Sequence, residues 1–252
     1  MGVILAWAVD TARIHIQQRP FRAVWDNIIG DQRSIAIVIG GMKQESFHPE
    51  HTPSNSVSKV PQNVHLLGVQ DAIASSLLQQ RLVSVYGMGA LISEPIDFND
   101  IRSTFISVGG WSVNARTYDV LVQNKLDAKF QMFYPEHYAV DGFDGKRYNA
   151  ELDADKNVVK DYGFIIVGQS PYDQEKMVCV AFGIWPQGTS ASLHALIDPD
   201  VKSQLGREFI AKLRTHQGVL AVVETRVSGL QPGRPVLIKV RDLIKVSDIE
   251  SK

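Results

Sequence analysis

Two stretches of this 252-residue chain place glycine, hydroxyls and an amide where an apolar run gives way to a helix-like one. The first runs Thr104-Phe-Ile-Ser-Val-Gly109-Gly110-Trp111-Ser112-Val-Asn114, and the second Val178-Cys-Val-Ala-Phe-Gly183-Ile-Trp-Pro-Gln-Gly188-Thr189-Ser190. The chemistry open to such residues is binding. Unpaired N–H groups at a helix start attract anions, and glycine lets a ligand reach them. At the first junction the amides of Gly110, Trp111 and Ser112 would take an anion or carbonyl, and Asn114 would read a polar edge. At the second, Gly188, Thr189 and Ser190 join a flexible turn, two hydroxyls and a helix start. The candidate ligand residues are therefore Gly109, Gly110, Trp111, Ser112, Asn114, Gly188, Thr189 and Ser190. If both strands are parallel neighbours, the junctions share the end of the sheet where open α/β folds bind ligands.

Each feature also has a purely structural reading. Ser112 can be an N-cap, Thr189 or Ser190 can cap the second helix, and Ser192 can be solvated. Trp111 and Trp185 can stack on a ring or fill the core. Neither GxGxxG nor GxxxxGK[ST] occurs, and Gly87-Met-Gly-Ala90 is a lone GxG. No reaction is identified.

The remaining titratable groups give no catalytic set. Glu45, His48, Glu50 and His51 cluster, but Pro49 opposes the helix that an HExxH site needs, and no metal site is assigned. Asp141 and Asp144 read as turn residues, and the acidic run Glu151–Asp155 as a solvated hairpin face. His65, His137, His194 and His216 are scattered, and GxSxG is missing. Cys179, the single cysteine, lies in an apolar run and reads as an inert core thiol.

These residues must be held by a scaffold that the hydrophobic pattern outlines. Hydrophobic and charged fractions of 44% and 21% are those of a globular protein. A net charge of −1 without a basic block argues against nucleic acid as main partner. The apolar run at Gly2–Asp10 is too short to span a membrane, and one cysteine fits a reducing, cytoplasmic setting. Residues 1–30 read as a helical arm interrupted at Pro20 and packed outside the domain. Val3, Ile4, Leu5 and Trp7 make it a contact for a homo-oligomer.

Residues 31–252 read as one α/β domain, Rossmann-like and three-layered, with a mainly parallel central sheet. Strands are expected at 34–39, 83–92, 104–108, 129–134, 162–167 and 178–182, with helices at 63–81, 96–102, 112–126, 189–197 and 200–215. A hairpin insertion is expected near 137–165, and a terminal hairpin over 219–241 on a sheet edge. The polar stretch 42–62 is long enough to be a functional loop.

The run Phe182-Gly-Ile-Trp-Pro186-Gln-Gly188-Thr189 resembles the PGGxGT loop of the Rossmann-like lysine-decarboxylase-like and SLOG families. The resemblance covers that loop and the strand order. It implies a nucleotide-like ligand, because some members are nucleotide phosphoribohydrolases and others sense nucleotide-derived signals in bacterial defence. This chain has one glycine fewer, a different spacing, and no glutamate after Thr189 where the hydrolases use one. The resemblance thus implies binding without turnover, in a prokaryotic signalling or defence assembly. The alternatives are a hydrolase of an N-glycosidic bond and a structural or oligomerisation domain with a degenerate pocket. No cofactor is assigned.

Overall fold

The computed structural model describes residues 2–40, 69–93, 98–110, 114–123, 130–133, 138–141, 144–215 and 218–243; the side chains of 2–15 and 130–133 lie outside that description. Helix α1 (Gly2–Ile29) leads into β1 (Ser34–Ile39), α2 (Val69–Tyr86), β2 (Gly89–Ser93), β3 (Phe105–Val108) and α3 (Ala115–Gln123). Short strands β4 (Phe130–Phe133), β5 (Tyr138–Asp141), β6 (Lys146–Asn149) and β7 (Glu151–Leu152) follow. The chain continues with β8 (Val158–Gln169), β9 (Met177–Gly183), α4 (Pro186–Ile197) and α5 (Gln204–Leu213), and ends with β10 (Val219–Ser228), β11 (Gln231–Pro232) and β12 (Val236–Asp242).

The main sheet has the order β11-β10-β8-β9-β3-β1-β2, with β12 also on β10 and β7 on β8. Strands β2, β1, β3 and β9 run parallel, whereas β8, β10, β11 and β12 join through antiparallel pairs. The sheet is therefore mixed, which corrects the mainly parallel expectation. The cause is local. Residues 170–176 close a tight connection between β8 and β9, with Ser170 N–H on the Lys176 carbonyl at 2.7 Å. A parallel crossover needs a dozen or more residues, so β8 and β9 form a hairpin. The expected terminal hairpin forms too, with β12 against β10. The strand expected at 129–134 leaves the main sheet, as β4, for a separate antiparallel one, β4-β5-β6.

Alternation along the strands covers both faces of the sheet. Ile35 and Ile37 face a core shared with α1, α2, α4 and α5, while Ala36 and Val38 face α3 and the small sheet. Asp141, fully buried, joins the small sheet to the large one: its carboxylate pairs with Lys239 of β12 at 2.6 Å, and Lys239 also meets Asp144. Asp144 shapes the turn, as read from sequence, its carboxylate accepting from Lys146 N–H at 3.0 Å, while Asp141 contributes only its backbone carbonyl, which accepts from Gly145 N–H at 2.7 Å. Asp153 is likewise engaged by its own turn, accepting from the N–H groups of Asp155 and Asn157 at 2.9 and 2.8 Å.

Helix α1 passes through Pro20 without a break, and its carboxyl half is core. Phe21, Val24, Trp25 and Ile28 form the buried stripe, and the Trp25 indole donates to the Leu196 carbonyl at 3.0 Å. Each such side chain stabilises the fold by about 1.5–3 kcal/mol. Pro20 has no N–H to give the Ile16 carbonyl one turn back, and the neighbouring Gln17 carbonyl accepts from Arg81 of α2 at 3.3 Å. The apolar residues Val3, Ile4, Leu5 and Trp7, read as an oligomer contact, fall on side chains outside the described set.

Residues 83–86, expected to begin a strand, end α2 instead. Leu78, Leu82 and Val85 keep helical spacing against the core, and that packing overrides the β-branched valines. Residues 98–102 form no helix. Cys179 is buried, and burial pushes its thiol up to about 12. Among the described residues, no helix is long and apolar enough to cross a membrane.

Candidate functional site

Strands β1 and β3 end level with one another, and β9 runs on past them to Gly183. Ile39 pairs with Val108, and Val108 with Ala181. Gly40, Gly109–Gly110 and Gly183 follow at one rim, so both glycine junctions lie at the carboxyl end of the parallel strands, as their common layout predicts. The chain goes from β1 to β2 on one side and then returns to β3 on the other. The rim between β1 and β3 is thus a topological switch point.

The first junction is tightly tied to the scaffold. Gly109, at φ 98°, donates its N–H to the Ala181 carbonyl at 2.9 Å, and Gly40 N–H reaches the Val108 carbonyl at 3.0 Å. Asn114 is fully buried. Its amide nitrogen donates to the carbonyls of Val38 and Val108 at 3.0 and 2.8 Å, bridging β1 and β3. Its oxygen accepts from the N–H groups of Arg116 and Thr117 at 2.9 and 3.4 Å. Asn114 therefore caps α3, where Ser112 was one expected cap. Thr117 completes the lock through the Gly109 carbonyl at 2.8 Å and the Ser107 hydroxyl at 2.9 Å. Gly110 is buried beside them, and Trp111 and Ser112 lie outside the described residues.

The second junction holds an anion supplied by the chain itself. Asp161, buried on β8, accepts from the N–H groups of Tyr162 at 2.8 Å, Trp185 at 3.1 Å and Gly188 at 2.5 Å. Helix α4 has Trp185 as N-cap without a side-chain bond and Pro186 at its first position, so the acid comes from another strand. Burial raises the Asp161 carboxyl above the ordinary range, against the three N–H donors, which favour the ionised form. Thr189 and Ser190 are buried, at 4% and 2% exposure. Ser192, read as solvated, is fully buried and donates towards the carbonyls of Gly188 and Phe182 at 3.1 and 3.3 Å.

A pair that the sequence reading passed over lies at the same rim. Helix α2 ends beside the start of β2, where Gly89 N–H meets the Arg33 carbonyl at 3.2 Å. Its 18 residues span about 27 Å. Its amino end therefore lies at the carboxyl rim. Helix α4 begins at that rim and packs against α2. Asp71, third residue of α2, is 5% exposed, and Ser75, one turn on, is fully buried. Among the described residues, neither Asp71 Oδ1 nor Ser75 Oγ has a hydrogen-bond partner. The available signal was an acid in the first turn of a helix on its apolar stripe.

Burial pushes the Asp71 carboxyl up from 3.8 to about 7. The folded chain thus keeps a proton that the unfolded chain releases, and stability falls as pH rises from about 4 to about 7. Asp71→Asn should flatten that fall and raise stability at pH 8 by up to about 4 kcal/mol. Urea unfolding of parent and variant at pH 5 and pH 8 checks this. An identical pH difference in both proteins would assign the slope to other groups.

Glu45, His48, Glu50, His51, His65, His137 and His216 lie outside the described residues. His194, half-buried on α4, is held below its ordinary value by burial. Gly87-Met-Gly-Ala90 lies at the amino rim, away from both junctions. A groove of about 590 Å³ opens at that amino rim, between Gly30–Gln32, Thr104 and Glu175–Met177. No family model matches this sequence, and no curated protein matches it.

Proposed function

We propose that this chain is a binding or sensor module for a small nucleotide-like ligand, received at the carboxyl rim between α2, β1, β3 and β9. The observation that carries the proposal is that three adjacent parallel strands end at glycine on one rim, beside a switch point. Beside it stand Asp71 Oδ1 and Ser75 Oγ, two of the buried polar atoms that lack a partner among the described residues. Protein interiors rarely leave such atoms unsatisfied, and a bound molecule or water is the usual reason. The nucleotide-like class follows the loop resemblance, and a role in a prokaryotic signalling assembly is proposed on the same ground.

The test is mass spectrometry of small molecules released when the purified chain is denatured, alongside its native mass. A stoichiometric nucleotide-like species is expected. A clean extract from protein that also binds none of the common nucleosides or nucleotides would overturn the reading. A second reading, a structural domain with a degenerate pocket, is favoured by one specific observation. Asn114, Thr117 and Asp161 direct their hydrogen bonds into the scaffold at both junctions.

A further inference from the structure

The acceptors at the carboxyl rim fit one chemical group. Asp71 Oδ1 and Ser75 Oγ lie four residues apart on the buried stripe that carries Ala74, Leu78 and Leu82 into the core. Positions so spaced are neighbours on a helix, with Cβ atoms about 5–6 Å apart. A group that donates two hydrogen bonds from one atom can serve both oxygens, and an amino group does so. An anion fits poorly here. The Asp161 carboxylate already fills the start of α4, which packs against α2, and Asp71 adds a second acid.

We propose that Asp71 and Ser75 recognise the exocyclic amino group of a purine-type base, one N–H donating to Asp71 Oδ1 and the other to Ser75 Oγ. The inference rests on the rim being a nucleotide-like site, as proposed above, and names what that site reads. It makes the base, rather than a phosphate on the α4 amides, the source of specificity. An Asp71 carboxyl that ionises near neutral pH is available to accept such a bond at physiological pH.

The experiment is calorimetric titration of the full chain with adenosine, guanosine and inosine, the last of which has no amino group. The parent should bind adenosine or guanosine about tenfold more tightly than inosine, the difference one hydrogen bond to a charged acceptor makes. Asp71→Leu, which replaces an unpartnered buried acid by an apolar group of similar volume, should abolish that preference. Asp71→Asn, which keeps an acceptor oxygen, should retain part of it, and Ser75→Ala should reduce it. Circular dichroism melting establishes that the variants are folded. Equal affinity for all three nucleosides in the parent, or a preference that survives both Asp71→Leu and Ser75→Ala, overturns the inference and leaves the rim site standing. Binding of none of the three overturns it as well, and the molecules released on denaturation then judge the rim site independently.

Discussion

Gly163→Ala should cost this protein about 4 kcal/mol of stability, at the upper end of what one added methyl does. Gly163 on β8 lies directly under α4. A Cβ built there would overlap the Gly188 carbonyl oxygen and Ser192 Oγ, and a Cβ on Gly188 would overlap the Tyr162 carbonyl and stand 2.8 Å from Asp161 Oδ2. These neighbours cannot give way. One is helix backbone, and Ser192 is fixed by its bonds to that helix and to β9. Helix and strand touch through two glycines, and any side chain forces them apart. Gly168→Ala on the same strand is the control, because its Cβ would meet nothing nearer than 3.7 Å, and its effect should stay within about 0.5 kcal/mol. Urea midpoints decide the matter. Equal midpoints for the two variants would mean that α4 can slide away from β8 at little cost. By the same geometry Gly188→Val would damage the fold before it could report on a ligand.

Asp161→Ala should follow, with a loss of about 3 kcal/mol, and Asp161→Asn with about half of that. Alanine leaves the Tyr162 and Trp185 N–H groups without their acceptor in a buried place, whereas Gly188 N–H retains the Trp185 carbonyl at 3.0 Å. Asparagine keeps one oxygen for the α4 start but turns an NH₂ towards one of the donors. The expected order of unfolding midpoints is parent, Asn, Ala. An asparagine variant as destabilised as alanine would show that charge, rather than an acceptor atom, holds the start of α4.

The strands of this fold were legible because β-branched runs bounded by glycine and polar turns do not depend on distant partners to be strands. Ser34–Ile39, Phe105–Val108 and Met177–Gly183 were each placed to within a residue or two. Direction was read only at the terminal hairpin, whereas the equally telling short connection at 170–176 was missed. The parallel neighbours of β3 depend on which surfaces α2 and α3 bury, and composition does not carry that. The shared rim of the two glycine junctions was legible as a place, and the contacts made there were not. Gly109 and Gly188 mark the rim, but the same glycines also serve close packing. Asp161 was passed over although it stands in an otherwise apolar run, Asp161-Tyr-Gly-Phe-Ile-Ile-Val167, where a lone acid implies a buried partner. Asn114 was singled out as an amide that would read a ligand's polar edge; the bonds it makes join two strands and cap α3.

The segment from β8 through α4, Val158 to Ile197, holds the capping acid, the amides it caps and both contact glycines within one continuous stretch of chain. Its hairpin and helix close over short loops, whereas pairing β3 with β9 and β1 with β3 brings together residues far apart in sequence. Loop closure is cheaper for the local unit, so it has the means to form early and serve as the surface on which the amino-terminal strands assemble. Helix α4, buried almost along its whole length, then becomes the slowest-exchanging part of the molecule, its amide protons released only when the whole domain opens. Any ligand at the rim would sit between this slow unit and the later-docking α2, and would act as a latch on the last step of assembly.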